Sequence, residues 1–286
     1  MTTRILILGA SGMLGNAMLR FFADSEGFDA YGSIRSHAAT SMLPAHLRHR
    51  LITGIDVENH DGLMRAFSTS QPDVVINCVG LVKQLEVAND PLAALPINAM
   101  LPHRVARLCA IARARLIHFS TDCVFSGSRG MYTESDVPDA HDLYGRSKLL
   151  GEVDYPNALT LRTSIIGHEL TSDRSLIGWF LSQKGPVRGF TKAVFSGLPT
   201  VEVARVVRDF VLPAPGLRGL YHLSVQPINK YDLLKLVRDA YEKEIEINPD
   251  DQFSIDRSLD STRFRNATGY TPPAWAELVS GMREFK

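Results

Sequence analysis

The stretch RILILGASGMLG, from Arg4 to Gly15, constrains this chain more than any other. An apolar run of strand length passes at once into three glycines, Gly9, Gly12 and Gly15. NAMLRFFA follows with apolar positions at helical spacing. The order is therefore strand, glycine turn, helix. Glycines three apart let the backbone turn tightly, approach a pyrophosphate and pack helix against strand, while the first helical amides face the anion. This predicts a dinucleotide site built from Gly9, Ser11, Gly12, Met13, Leu14 and Gly15. The spacing is G-x-x-G-x-x-G rather than the G-x-G-x-x-G of most dinucleotide folds.

A second strand is expected from Phe28 to Ile34. It ends in Arg35, where an acid that binds ribose would stand about 20 residues beyond the glycines. Arg35 favours a 2′-phosphate partner and hence NADPH, with NADH the other possible cofactor. Arg48, His49 and Arg50 either add to that charge or form a solvated basic loop. A third strand is expected from Ile52 to Val57, placing Asp56 and Val57 against the adenine end. VVINCVG, from Val74, reads as a buried parallel strand whose end, Val79-Gly80, lies against the cofactor. Lys83 and Gln84 follow, either as substrate contacts or as surface residues. Asn98, polar near the start of the next helix, either orients an active-site lysine or bonds the helix start.

The fifth strand, RLIHFSTD, delivers Ser120, Thr121 and Asp122 to one sheet edge. Tyr144 and Lys148 then lie four apart near a helix start and share a face. A phenol with a reference pKa of about 10 carries protons poorly at neutral pH, and a neighbouring ammonium lowers that value. Tyr144 then suits general acid or base work. Tyr-x-x-x-Lys alone is weak, since a surface tyrosine beside a snorkelling lysine gives the same pattern.

LTLRTSIIG, from Leu159 to Gly167, reads as a sixth strand. Beyond Gly167 the rhythm loosens: a loop FTKAVFSGLPT, a helix VEVARVVRDFVL, a strand GLYHLS and a helix YDLLKLVRDAYE suggest a smaller lobe. The expected division is 1–167 for cofactor binding and 168–286 for substrate, with some later segments returning to the first part. Lys plus Arg and Asp plus Glu balance at 31 each, which gives no field for nucleic acid or an anionic membrane. A small-molecule substrate is expected. Three scattered cysteines argue against a disulfide framework or a metal site, and no apolar run reaches the ~20 residues of a membrane span. A soluble, cytoplasmic chain is the reading, with a homodimer a possible assembly.

GASGMLG, STDCVFSG, YGRSKLLGE, LRTSIIG and SGLPT together resemble the extended short-chain dehydrogenase/reductases, most of all the dTDP-4-dehydrorhamnose reductase group. The likeness spans nearly the whole chain. It implies an α/β fold, a doubly wound parallel sheet of Rossmann type with a smaller mixed α/β substrate lobe. It also implies that Tyr144 donates a proton, Lys148 tunes it and holds the nicotinamide ribose, and Thr121 binds the substrate carbonyl, Ser120 being a further member. The implied reaction reduces a 4-keto-6-deoxyhexose carried on a nucleotide diphosphate, for surface polysaccharide such as O-antigen. Related dehydratases carry Glu where this chain has Cys123, so dehydration is not expected and Cys123 packs beneath the site beside Asp122. A UDP-2-acetamido-4-keto-6-deoxyhexose reductase, a C4 epimerase and a non-catalytic NAD(P)-binding regulatory subunit remain as alternatives. Arg257 either meets the diphosphate or pairs with Asp256 or Asp260 at the surface.

Overall fold

The structure is a computed structural model that describes residues 2–83, 86–170 and 172–286, apart from the side chain at position 86. In chain order its elements are β1 (Thr3–Leu8), α1 (Met13–Ala23), β2 (Phe28–Ser33), β3 (Leu51–Ile52), α2 (His60–Ser70) and β4 (Val74–Asn77). Next come α3 (Pro91–Ala94), a π-helical segment (Leu95–Met100), α4 (Leu101–Ala112), β5 (Arg115–Thr121), α5 (Leu143–Leu150) and β6 (Ala158–Thr163). The remainder comprises β7 (Ile165–Ile166), α6 (Leu176–Ser182), β8 (Val187–Phe195), β9 (Leu198–Pro199), α7 (Thr200–Val206), β10 (Gly219–His222), β11 (Ile228–Asn229), α8 (Lys230–Ala240), β12 (Ile247–Asp256), α9 (Thr262–Thr268) and α10 (Trp275–Glu284). Among the described residues no helix is long and apolar enough to cross a membrane.

The chain divides into two interleaved units. The first holds Met1–Ser120, His141–Leu161 and Pro215–Leu220. Its seven-stranded sheet runs β10-β6-β5-β4-β1-β2-β3, the last residues of β5, β6 and β10 belonging to the second unit. The ladders from β5 through β4, β1 and β2 to β3 are all parallel. Parallel strands are covered on both faces, which is why β1 and β4 read as unbroken apolar runs: Ile5 to Leu8 and Val74 to Asn77 are all buried. Leu6, Leu8 and Val75 from the strands and Leu63, Phe67, Leu101, Val105 and Cys109 from α2 and α4 form one core, so Cys109 is packing. This is the doubly wound architecture anticipated from the sequence.

Two strands are shorter than expected. Only Leu51 and Ile52 pair with β2, because Gly54 turns the chain at φ +68° and leaves Asp56 and Val57 beyond the ladder. The strand expected from Leu159 to Gly167 also divides: after Thr163 the chain leaves the main sheet, and Ile165-Ile166 pairs with Leu198-Pro199.

The second unit holds Thr121–Ala140, Arg162–Ala214 and Tyr221–Lys286. Its three-stranded sheet is mixed, in order β11-β8-β12, with β11 antiparallel and β12 parallel to β8. The segment from Phe190 to Thr200 is therefore largely strand rather than loop. Val187, Ala193 and Phe195 are buried while Arg188 and Lys192 are exposed, the alternation of a sheet with one wet face. Ile177, Phe180, Leu233, Val237, Val279 and Met282 cover the other face.

Candidate active site

The glycine turn forms through two steric facts. Gly9 lies at φ +84°, and a Cβ on Gly15 would stand 2.1 Å from the Gly9 carbonyl oxygen. One glycine turns the chain and the other lets α1 close onto the turn. Gly12 caps α1 with no side chain to accept its first amides, so those donors are available to an anion. Ser11 and Gly12 are exposed and Met13 is half-buried, whereas the Leu14 side chain lies in the core. Only the backbone of Leu14 is placed to serve a ligand.

Arg35 stands exposed just past β2 and makes no hydrogen bond or ion pair among the described residues. The nearby cations are committed. Arg50 pairs with Asp29 at 2.7 Å, Arg48 donates to the Leu43 and Ser41 carbonyls, and Arg65 donates to those of Thr53 and Gly54. Asp56 is exposed, one carboxylate oxygen accepting from the Glu58 amide, and Val57 packs at the core's edge.

At the end of β4, Val79 covers Gly9: a Cβ there would meet the Val79 side chain at 3.0 Å. A Cβ on Gly80 would lie 3.4 Å from Asn98 Oδ1 and 3.9 Å from Lys148 Nζ, so the strand end, the π-helical segment and α5 meet. Asn98 is not at a helix start, since helical structure begins at Pro91 and Asn98 sits in the π-helical turn. Its Oδ1 accepts from the Leu81 amide at 2.9 Å, and its Nδ2 donates to the Leu81 carbonyl at 3.1 Å and to Ser147 Oγ at 3.2 Å. Ser147 in turn donates to the Tyr144 carbonyl at 3.0 Å. Asn98 thus braces the backbone of α5 rather than bonding Lys148.

Asp142 caps α5 by accepting from the Gly145 amide at 2.7 Å, and Lys83 pairs with its other oxygen at 2.6 Å. Lys83 thereby tethers the loop after β4 to the start of the Tyr144 helix. Gln84 lies outside the described residues. Tyr144 is half-buried and Lys148 fully buried, with its ammonium donating to the Phe119 carbonyl at 2.6 Å. Burial pulls the Lys148 pKa down to about 8, opposed by the negative charge of Glu152 and the Cys78 thiol. His118, buried beneath, is held well below its ordinary pKa by burial and by the Lys148 and His103 charges. His118 is therefore neutral beside the Lys148 ammonium. Ser120 does not present its hydroxyl proton to a ligand, since it donates to Glu152 Oε1 at 2.7 Å. Glu152, one turn beyond Lys148, was legible in the sequence as the end of Y-x-x-x-K-x-x-x-E.

In the second unit, Thr121 caps a short 3-10 turn, Asp122–Val124. Its hydroxyl donates to Asp122 Oδ1 at 3.2 Å and accepts from the Cys123 amide at 3.1 Å. Asp122 is buried, which raises its pKa against the opposing charges of Arg257 and Lys230. Burial and the Asp122 charge push the Cys123 thiol up to about 12, so it is no base near neutral pH. Arg257 donates Nε to the Phe125 carbonyl at 2.9 Å. Among the described residues it pairs with neither Asp256, which holds Ser258, nor Asp260, which holds the Thr262 amide.

A family model described as RmlD substrate binding domain matches residues 3–282. The chain belongs to the RmlD substrate binding domain family. Relatives of this RmlD-family chain include the beta subunit of methionine adenosyltransferase 2 from Danio rerio, 30% identical over 83% of the chain and 74% of that protein. The Haloferax volcanii protein "Probable low-salt glycan biosynthesis reductase Agl14" is 30% identical over 77% of the chain and 74% of its own length. Among solved structures, dTDP-4-dehydrorhamnose reductase from Bacillus anthracis, in complex with NADP, shares the fold with a TM-score of 0.80 at 19% identity, all of each chain being covered.

Proposed function

We propose that this RmlD-family chain is an NADPH-dependent reductase acting on the 4-keto group of a 6-deoxyhexose linked to a nucleotide diphosphate. The observation that carries the reading is Lys148: an ammonium buried in α5, one turn from Tyr144, at the end of a strand that covers the glycine turn. Burying an ammonium costs stability, and such a charge is retained where chemistry uses it.

The residues present fit a nicotinamide dinucleotide. Gly9, Gly12 and Gly15 with the uncapped start of α1 would hold the pyrophosphate, Arg35 the 2′-phosphate, and Asp56 and Val57 the adenine end. Val79, Gly80, Asn98 and Lys148 would border the nicotinamide ribose. When bound, the reduced cofactor supplies the hydride that a ketone reductase needs. Tyr144 gives its phenolic proton to the carbonyl oxygen as that oxygen becomes an alkoxide, and the Lys148 ammonium on the same helix face favours the phenolate left behind. Thr121, whose hydroxyl proton rests on Asp122, is the residue that the family resemblance assigns to a substrate carbonyl. Asn98 and Ser147 keep α5 in register, which fixes the backbone that carries Tyr144 before substrate arrives.

The named activities of the Haloferax and Bacillus proteins support a reductase, and the NADP in the latter supports the cofactor. A glycan or surface polysaccharide sugar is the corresponding product. The likeness to a methionine adenosyltransferase subunit favours a second reading, a nicotinamide-binding subunit without catalysis. The buried Lys148 behind Tyr144 speaks against it. The deciding experiment incubates the chain and NADPH with dTDP-, UDP- and GDP-linked 4-keto-6-deoxysugars and follows absorbance, with NMR of the product. Tyr144→Phe should abolish turnover and leave NADPH binding intact. Turnover of that variant at the original rate would refute the role of Tyr144, and no turnover with any sugar would leave the subunit reading.

A further inference from the structure

The Lys148 ammonium is buried, and the Phe119 carbonyl that accepts from it is neutral. A cation taken out of water keeps its proton only where a negative charge stands near enough to oppose the cost. The elements around it bring few candidates. The π-helical segment and α3 carry no titratable side chain. Cys78, just past β4, has its thiol pushed well above the ordinary range by burial and stays uncharged. His118 on β5 is neutral. His103 on α4 is engaged elsewhere, donating Nε2 to the Leu150 carbonyl at 2.9 Å and accepting from the Tyr155 hydroxyl at 3.0 Å through Nδ1. The chain of α5 itself brings Tyr144 and, one turn past Lys148, Glu152. It is the Glu152 carboxylate whose charge holds the ammonium.

Glu152 is fixed from three sides. Before it, Gly151 ends α5, and a Cβ there would stand 2.0 Å from the Asn98 carbonyl oxygen, so the chain leaves the helix pressed onto the π-helical segment. After it, the Val153 amide donates to Thr160 Oγ1 at 3.1 Å, and that hydroxyl donates back to the Val153 carbonyl at 2.7 Å. The side chain is held as well, Oε1 accepting from the hydroxyl of buried Ser120 at 2.7 Å. Lys148 and Glu152 thus reach consecutive residues of β5, Phe119 and Ser120, which lie about 3.3 Å apart along a strand. Opposite charges are brought to the same strand end.

We propose that Glu152 is a positioning residue of the ketone reduction: anchored by Ser120, its carboxylate keeps the Lys148 ammonium charged behind Tyr144. The proposal rests on the reductase reading above only for the use made of that charge. Lys148 is an ammonium below its pKa and a neutral amine above it, so withdrawing the Glu152 charge lets the proton leave at a lower pH. The phenolate left by Tyr144 then loses its cation, and reduction fails first on the alkaline side. Ser120 serves this chemistry by holding the acid.

The test has two readouts on the full chain. NMR of protein carrying 13Cε-labelled lysine follows the Lys148 titration directly, its signal assigned by absence in Lys148→Met, and the pH profile of kcat for ketone reduction follows its use. Glu152→Gln keeps the shape and an oxygen for Ser120 but removes the charge, and Glu152→Asp keeps the charge on a shorter arm; urea unfolding reports whether each variant folds. The unaltered protein should titrate at about 8. Glu152→Gln should lower that midpoint by about one pH unit, costing about five-fold in kcat at pH ~8 and little at pH ~6. Glu152→Asp should restore most of both. A Lys148 midpoint unmoved in Glu152→Gln would overturn the proposal, as would a uniform loss of kcat at every pH, which is what a purely structural role gives. A lowered midpoint without reduction of any sugar would leave the charge role standing and remove the reductase reading. Reduction with an unchanged pH profile in Glu152→Gln would do the reverse.

Discussion

Replacing Lys148 with methionine should abolish ketone reduction and yet make the protein more stable at neutral pH. Burial holds the Lys148 pKa at about 8 against an ordinary 10.5. Between those values the unfolded chain binds more protons than the folded one, so stability rises as pH climbs through that window and the cost is fully present below it. At 1.36 kcal/mol per unit, the buried ammonium costs about 3 kcal/mol at neutral pH. Methionine fills a similar length of apolar space without charge, but it strands the Phe119 carbonyl, which Lys148 holds at 2.6 Å. That lost hydrogen bond costs about 1 kcal/mol, leaving the variant ahead by about 2 kcal/mol. Raising the pH from about 7 to about 9.5 should return roughly 2 kcal/mol to the unaltered protein and close the gap. Urea unfolding of both proteins at the two pH values measures it, because groups that titrate in both cancel in the difference. A gap that stays constant within about 0.5 kcal/mol, or a variant less stable at neutral pH, would show that Lys148 is not a buried charge held at a cost.

Arg35→Ala should weaken NADPH by about 10-fold or more, as expected for loss of an arginine contact to a phosphate, and spare NADH. Equal losses in fluorescence titrations would place the discrimination elsewhere. Gly15→Ala puts a Cβ 2.1 Å from a backbone oxygen that no rotamer change can move. It should cost about 1–3 kcal/mol in denaturant unfolding and weaken NADPH, and a variant indistinguishable from the parent in both would refute the close approach of helix and turn.

The features the sequence revealed are those that depend on neighbours along the chain. β1, the glycine turn and α1 follow from adjacent residues, and so does the placing of Tyr144 and Lys148 on one helix face. What the sequence hid depends on partners far away in the chain. Ser120 looked like a ligand contact because it neighbours Thr121, but its proton goes to Glu152, 32 residues on. Phe190 to Thr200 looked like a loop because its polar residues break the apolar run, although β12 pairs with it from some 60 residues away. Asn98 stood out only as a polar residue, since no local pattern announced a π-helical turn.

That turn also sets a length. A π-helical turn carries one residue more than an α-helical turn, so trimming a single position between Leu95 and Met100 would let the helix relax to ordinary winding. Everything on one side of the cut would then rotate by about 100° against the other. Asn98 would swing off Leu81 and Ser147, and α5 would lose its brace even though every side chain named in the chemistry was still present. Swapping residues here tests composition, whereas shortening by one tests whether this helix works as a spacer whose count aims a carboxamide.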